Sequence, residues 1–437
     1  MNSPFLLLAL LACKTTDEPN TTAGTASLPW DAVEQTEQWA VPDLRCDAHV
    51  LRGPGSVPYI YAQDRADLAR VYGFVQARDR FFEMDLARRL GRGKVSELLG
   101  ADALESDMES RSSGMTAVSE RLLTVLTPSQ EALFDAFAQG VNAWIAAAQA
   151  GDLPVPSEFA LAGPLLGVEQ PADLLQEWTR ADVAGMAAVL IYQLGYETDD
   201  VGRAATAAVL DGHFDGAALA ELRQAGMIDD IWNQLAPVRP YGSAPGWGTN
   251  GVVPVRASAP SAAGLPALGK PVPADMLRSL HERLERMERR LGRGDHDAGW
   301  GSNVWAVGAS ASRDGTTLLA GDGHLPLSVP SLFWQVGLDT RVLGGGDTHQ
   351  VGLGLPGLPI LAVGTNGEVA WGQTQLMGDI TDWYREELVL GADGAPSHSL
   401  FQGQAQPLVA RVESHVVADV PVLGSVGRAE TWTRYET

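Results

Sequence analysis

The sequence predicts an α+β protein in which a largely helical first part gives way to a strand-rich second part. Apolar residues recur at helical spacing, behind recognisable helix starts, through most of the chain before residue 292. After Asn303 the apolar runs become short and are divided by turn residues, as in strands. Size and composition allow both parts a core: the chain has 437 residues, 45% of them hydrophobic, enough for two or three ordinary domains and too apolar for disorder. A formal net charge of -23 argues against a nucleic-acid partner. Two cysteines exclude a disulfide scaffold.

At the N-terminus, residues 1–12 are apolar and end at Cys13, without Lys or Arg ahead of them. The run is too short for a bilayer span of about 20 residues. It resembles a bacterial lipoprotein signal with a Leu10-Leu11-Ala12-Cys13 lipobox, which makes Cys13 the lipidated residue. Residues 15–27 are polar and Thr-rich, as a tether is. Cys46 is then the remaining ordinary thiol, expected as a small buried residue.

Residues 48–62 read as extended segments around a Gly-Pro-Gly turn. Residues 64–98 read as helical, softened by Gly73 and by Gly91-Arg92-Gly93. Leu68, Val71, Val75, Phe82, Leu86 and Leu90 supply its apolar spacing. Arg78, Asp79 and Arg80 within it are expected to form ion pairs. Thr127-Pro128-Ser129-Gln130 is a helix start: Thr127 caps, Pro128 takes the first helical position and Gln130 closes a capping box. Thr179 and Asp182 form a second. Residues 251–273, rich in Ala, Gly, Pro and Ser, read as a linker. Met276, Leu280, Leu284, Met287 and Leu291 then form an apolar stripe on a helix dense in Glu and Arg. Beyond it, residues 304–307, 316–320, 333–338 and 360–363 are strand candidates, and Asn366-Gly367 fits a tight hairpin turn. The sequence has no nucleotide-binding glycine motif, zinc constellation or nucleophile elbow.

Gly299-Trp300-Gly301-Ser302-Asn303-Val304-Trp305, followed by Gly321-Asp322-Gly323-His324-Leu325, lies at the seam between the two parts. Local chemistry alone reads Trp-Gly-Ser-Asn as a turn. Three blocks give it more meaning: this one, Gly53-Pro54-Gly55-Ser56-Val57-Pro58-Tyr59-Ile60 with Tyr72-Gly73-Phe74-Val75-Gln76-Ala77-Arg78-Asp79-Arg80, and 357–374 ending in Trp371-Gly372-Gln373-Thr374. In order and spacing they resemble the penicillin acylase family of N-terminal nucleophile hydrolases, which includes cephalosporin and acyl-homoserine lactone acylases. The resemblance covers residues 45–437.

The resemblance implies an αββα sandwich preceded by a helical subunit. Its divisions are a signal at 1–13, a tether at 14–40, a helical α-subunit region at 41–250, a linker and spacer at 251–301, and the start of a β-subunit at 302–437. The two subunits are chains of one precursor. The family's strand-rich half continues well beyond this length, so the chain is expected to be truncated at its C-terminus and doubtful in activity alone.

The resemblance also implies that cutting Gly301–Ser302 frees Ser302. A hydroxyl is a poor nucleophile without a base. An N-terminal serine carries its own, because a free α-amine has a pKa near 7.7–8.0 and is partly neutral at pH 7. Inside the precursor that nitrogen is an amide and cannot serve. Carried over from the family, His324 orients the α-amine, the backbone N–H of Gln375 donates to the oxyanion, and Leu325 and Val363 wall the acyl pocket. Asp379 and Asp382, with Asp200, match a structural calcium site; carboxylate oxygens suit that hard cation. The implied activity is hydrolysis of the amide of an N-acylated small molecule, possible substrates being acyl-homoserine lactones or, alternatively, β-lactams. The implied location is the periplasm or cell surface, with membrane attachment through the lipid. A catalytically silent acylase-like lipoprotein or binding module is the competing class.

Overall fold

The computed structural model describes residues 6–10, 28–195, 200–218, 221, 272–291, 301–325, 328–374 and 383–437. The chain divides into two compact units. The first contains residues 1–192, 295–374 and 410–436; the second contains 193–294 and 375–409.

Strands of the first unit form one eight-stranded mixed sheet. They are β1 (Leu6–Leu10), β2 (Gln35–Trp39), β3 (Ala48–Arg52), β4 (Pro58–Tyr61), β7 (Trp334–Asp339), β8 (His349–Gly354), β9 (Leu361–Thr365) and β10 (Ala370–Trp371). Their spatial order is β10-β9-β8-β7-β4-β3-β1-β2. Strands from before and after Ser302 meet at β4 and β7, which pair in parallel with Ile60 opposite Leu338. A separate antiparallel hairpin holds β5 (Gly301–Val307) and β6 (Leu318–His324).

Period-two alternation gives the large sheet its faces. Ala48, Val50, Ile60, Val336 and Leu338 point to one side and pack in the main core. That core is completed by α1 (Arg65–Arg92) and α5 (Pro128–Gln149), through Val71, Phe74, Val75, Phe137, Val141 and Trp144. Asp64 caps α1 by accepting from the N–H groups of Ala66 and Asp67, and Gly93 ends it in the left-handed region at φ 58°. Gly73 does not weaken this helix. It admits the Phe137 carbonyl of α5, which an added Cβ would approach to 2.1 Å. Gly140 of α5 admits the Arg70 carbonyl in the same way, at 1.8 Å. The break in α1 falls instead at Arg80, with φ -144°, where the side chain reaches Glu83 and the Ser331 carbonyl.

The helix start at Thr127 forms with both halves of its capping box. At α7 (Arg180–Leu194) the arrangement differs from a capping box: the Thr179 N–H and hydroxyl both donate to Asp182, at 2.7 and 2.6 Å. Asp182 is held by Arg88 and Arg92 of α1 at 3.6 and 2.7 Å. Burial alone would raise its pKa, but Arg88, Thr179 and Arg92 together bring it below the usual carboxylate value.

Several elements were not foreseen. Short helices α2 (Ser96–Leu99), α3 (Leu104–Ser112) and α4 (Met115–Val125) follow α1, and α6 (Ser157–Leu165) follows α5. A hairpin of β14 (Val409–Val417) and β15 (Arg428–Glu436) docks on α2 and α3: the Ser96 hydroxyl donates to the Val416 carbonyl and Arg111 pairs with Glu413, both at 3.0 Å. Residues 28–40, expected as the end of a tether, are mostly exposed but anchored at two points. Trp30 is buried and stacks on His49 at 4.1 Å, and Glu37 pairs with Arg78 at 2.6 Å. The turn at Asn366 is a four-residue loop rather than a two-residue one, since Thr365 pairs with Ala370. The Asn366 side chain accepts from the N–H groups of Glu368 and Val369.

The second unit contains α8 (Asp200–His213), α9 (Ala274–Leu291) and a meander of β11 (Leu388–Leu390), β12 (Pro396–Phe401) and β13 (Gln404–Pro407). Helix α9 presents its stripe as expected, with Leu280, Leu284 and Met287 half-buried and Leu291 buried. Met276 falls outside that stripe at 63% exposure. Residues 251–271 of the expected 251–273 linker, and Cys13, lie outside the described residues. Among the described residues no helix is long and apolar enough to cross a membrane.

Candidate active site

The site is built on the β5–β6 hairpin. Gly301 pairs with His324, Ser302 with Gly323, Asn303 with Asp322 and Val304 with Gly321. Directly paired residues of an antiparallel ladder share a face. Ser302, Val304, Gly321 and Gly323 therefore share one face, and Gly301, Asn303, Asp322 and His324 share the other.

The Ser302 face is turned toward the large sheet. A Cβ at Gly372, just past β10, would lie 3.3 Å from Val304. Between hairpin and sheet lies a cleft of about 420 Å³, walled by Leu319 and Gly321 on one side and by Tyr59, Gln335, Val351 and Val363 on the other. Ser302 stands one residue pair beyond Gly321 on the same face, so its side chain projects from the row that bounds the cleft. Val363, one of the two expected acyl-pocket residues, is part of the cleft wall. Leu325 is not among the cleft residues; it follows β6 and lies near Gly323.

Ser302 is half-buried, and its hydroxyl donates to the Gly301 carbonyl oxygen at 2.6 Å. The nucleophile candidate is thus in contact with the peptide group whose cleavage would release it. His324 is placed across the ladder from Gly301, not behind the Ser302 hydroxyl. Its Nδ1 lies 3.8 Å from where a Gly301 Cβ would be. Its Nε2 accepts from the Asn303 amide at 3.3 Å and lies 3.3 Å from the Asp322 carboxylate.

Asn303 and Asp322 were missing from the sequence expectation. Their signal was the hairpin register: once Ser302 opposes Gly323, residues 303 and 322 must flank the histidine. Asp200 opens α8. Gln375, Asp379 and Asp382 lie outside the described residues, so the oxyanion and calcium assignments gain no geometry. Arg78, Asp79 and Arg80 are scaffold as expected. Asp79 binds Arg52 through two contacts of 2.7 and 2.8 Å and accepts from the Trp334 indole at 3.2 Å, tying α1 to β3 and β7.

Ser302 is thus the second residue of β5, touches its preceding carbonyl, and stands next to the row that walls the cleft without itself being among the cleft residues. The profile of the penicillin amidase family matches residues 47–436, and the chain belongs to that family of N-terminal nucleophile hydrolases. Among curated proteins it is 30% identical over 353 residues to the penicillin acylase 2 proenzyme of Pseudomonas sp. (strain SE83), covering 80% of this chain and 38% of that one. It is 26% identical over 378 residues to the acyl-homoserine lactone acylase QuiP of Pseudomonas aeruginosa, covering 86% and 38%. Penicillin G acylase of Escherichia coli is 24% identical over 424 residues, covering 91% and 46%. The chain spans about two fifths of the length of these relatives. Among solved structures, the thermostable penicillin G acylase from Alcaligenes faecalis aligns with a TM-score of 0.34 and 21% identity, over 41% of this chain and 91% of that one.

Proposed function

We propose that this chain is the Ser302-bearing precursor part of an acylase that cuts itself at Gly301–Ser302 and then hydrolyses the amide of an N-acylated small molecule. The observation that carries the reading is the contact of 2.6 Å between the Ser302 hydroxyl and the Gly301 carbonyl, in a chain of this family. In the cut, Oγ bonds to the Gly301 carbonyl carbon, the C–N bond breaks and the hydroxyl proton ends on the Ser302 nitrogen. Water then hydrolyses the ester, leaving a Gly301 carboxylate and a serine with a free α-amine and hydroxyl.

In the mature cycle the α-amine takes the proton as Oγ attacks the substrate carbonyl, returns it to the departing amine, and activates water against the acyl-enzyme. The backbone N–H of Gln375 supplies one oxyanion donor, a contribution worth roughly 3 kcal/mol. The two chains belong to one αββα sandwich and stay paired. Asp200, Asp379 and Asp382 hold a structural calcium ion. Export with lipid attachment at Cys13, which removes residues 1–12 and with them β1, leaving β3 at the sheet edge, puts the enzyme at the periplasmic or outer surface.

Leu319, Val351 and Val363, which share the cleft wall with Tyr59 and Trp371, support an aliphatic acyl group, and the acyl-homoserine lactone acylase relatives support homoserine lactone as the leaving amine. Purified, processed protein is expected to release homoserine lactone from medium-chain acyl-homoserine lactones faster than it releases the β-lactam amine from phenylacetylated penicillin. The opposite order would assign it to β-lactams. Release of neither amine by protein with Ser302 at its N-terminus would favour the silent module.

A further inference from the structure

Resting on that reading, we infer that Asn303 and Asp322 are positioning residues for His324, clamping one edge of its imidazole so that the other edge faces the Gly301 side of the bond to be cut. The register makes the three side chains one face of the hairpin together with Gly301. Both clamp contacts, at 3.3 Å, converge on the same nitrogen, Nε2. They suit different protonation states. Neutral His324 accepts from the Asn303 amide at Nε2, which leaves the ring proton on Nδ1. Charged His324 presents Nε2–H toward the Asp322 carboxylate and again keeps a proton on Nδ1.

In both states Nδ1 carries a proton, and that nitrogen is the atom a Cβ at Gly301 would meet, 3.8 Å away. A donor on this face can stabilise or protonate the peptide group during cleavage. The Ser302 hydroxyl works from the opposite face, so the two groups do not compete for space. Once the spacer has left, the same imidazole borders the new α-amine.

The test compares cutting rates of the full-length precursor, followed by intact mass and N-terminal sequencing, with kcat and KM measured separately on processed enzyme. Asp322→Asn and Asn303→Leu are each expected to slow cutting about tenfold, the scale of one hydrogen bond to a charged group. Asp322→Glu, which keeps the carboxylate, is expected to recover most of the rate. In a His324→Ala background Asp322→Asn should add nothing, because its effect passes through the histidine, and added imidazole should accelerate cutting of His324→Ala. A wild-type rate in both clamp variants, or an undiminished Asp322→Asn effect without His324, would overturn the inference while leaving self-cleavage standing. A folded wild-type precursor that never gains Ser302 as an N-terminus would overturn both.

Discussion

Gly301 has two reasons to lack a side chain, and they differ in how much bulk they exclude. Access for the Ser302 hydroxyl requires an open carbonyl. The His324 ring sets the other limit, with Nδ1 3.8 Å from an added Cβ, an ordinary contact. Gly301→Ala should therefore be cut at close to the wild-type rate, whereas the branched side chain of Gly301→Val must displace the ring and should be cut about tenfold more slowly. Time courses of precursor mass would check this. His415 makes a different residue-scale prediction. It is 1% exposed, and its Nε2 accepts from the Trp432 indole at 2.9 Å, which requires the neutral ring. Burial lowers its pKa from the ordinary 6.5; Arg111 acts in the same direction, and Asp107 and Glu413 oppose it. A histidine depressed in this way contributes stability above the unfolded value that is lost as pH falls through the folded one. Wild-type melting temperature should fall more steeply below pH 6.5 than that of His415→Gln, whose amide oxygen accepts from Trp432 at any pH. Parallel curves would show that His415 does not titrate on unfolding.

At the scale of elements, α1 is the organising helix, and its partners are fixed by close approach and buried charge. The α1–α5 contact depends on Gly73 and Gly140, each facing the other helix's carbonyl. Gly140→Ala should destabilise the protein by about 2 kcal/mol or more through overpacking, although alanine favours helix locally. The α1–α7 contact depends on Asp182 between Arg88 and Arg92. Asp182→Leu removes the carboxylate and leaves Arg88, only 4% exposed, with Asp85 as its remaining acidic partner; a loss of about 3 kcal/mol is expected. Denaturant unfolding of the two variants measures both. These helices show which signals the sequence carried. Thr127, with Pro128 and Gln130, marked a helix start because capping is local chemistry. The α9 stripe was visible because amphipathic periodicity is local too. The kink at Arg80 was not, and the side chain at that kink reaches Ser331, far along the chain. The β14–β15 hairpin was missed because its docking pairs its Val416 carbonyl and Glu413 with Ser96 and Arg111, far earlier in the chain.

Over the whole molecule, the sheet carries the most consequential feature that sequence could not show. Strands on either side of the Gly301–Ser302 bond are paired, β4 with β7, and Val50 and Ile60 share one core with Val336 and Leu338. Nothing in Tyr59-Ile60-Tyr61 specifies Gly337-Leu338-Asp339 as its neighbour; partner choice comes from long-range packing. Ser302 and His324 could be singled out from the sequence because they lie in a local motif, whereas the contacts of Asn303 and Asp322 with His324 required the register. Breaking the bond before Ser302 leaves the β4–β7 ladder intact, so the two products should co-elute in native size exclusion and separate only in denaturant. Dissociation under native conditions would contradict a shared sheet.

The central claim is that Ser302 becomes a chain terminus by its own hydroxyl. N-terminal sequencing with intact mass of the purified full-length protein tests it most directly. The account predicts a chain beginning Ser302-Asn303-Val304 in the wild type and a single uncut chain in Ser302→Ala. A folded wild-type protein that hydrolyses an N-acyl amide while Gly301 and Ser302 remain joined would contradict it.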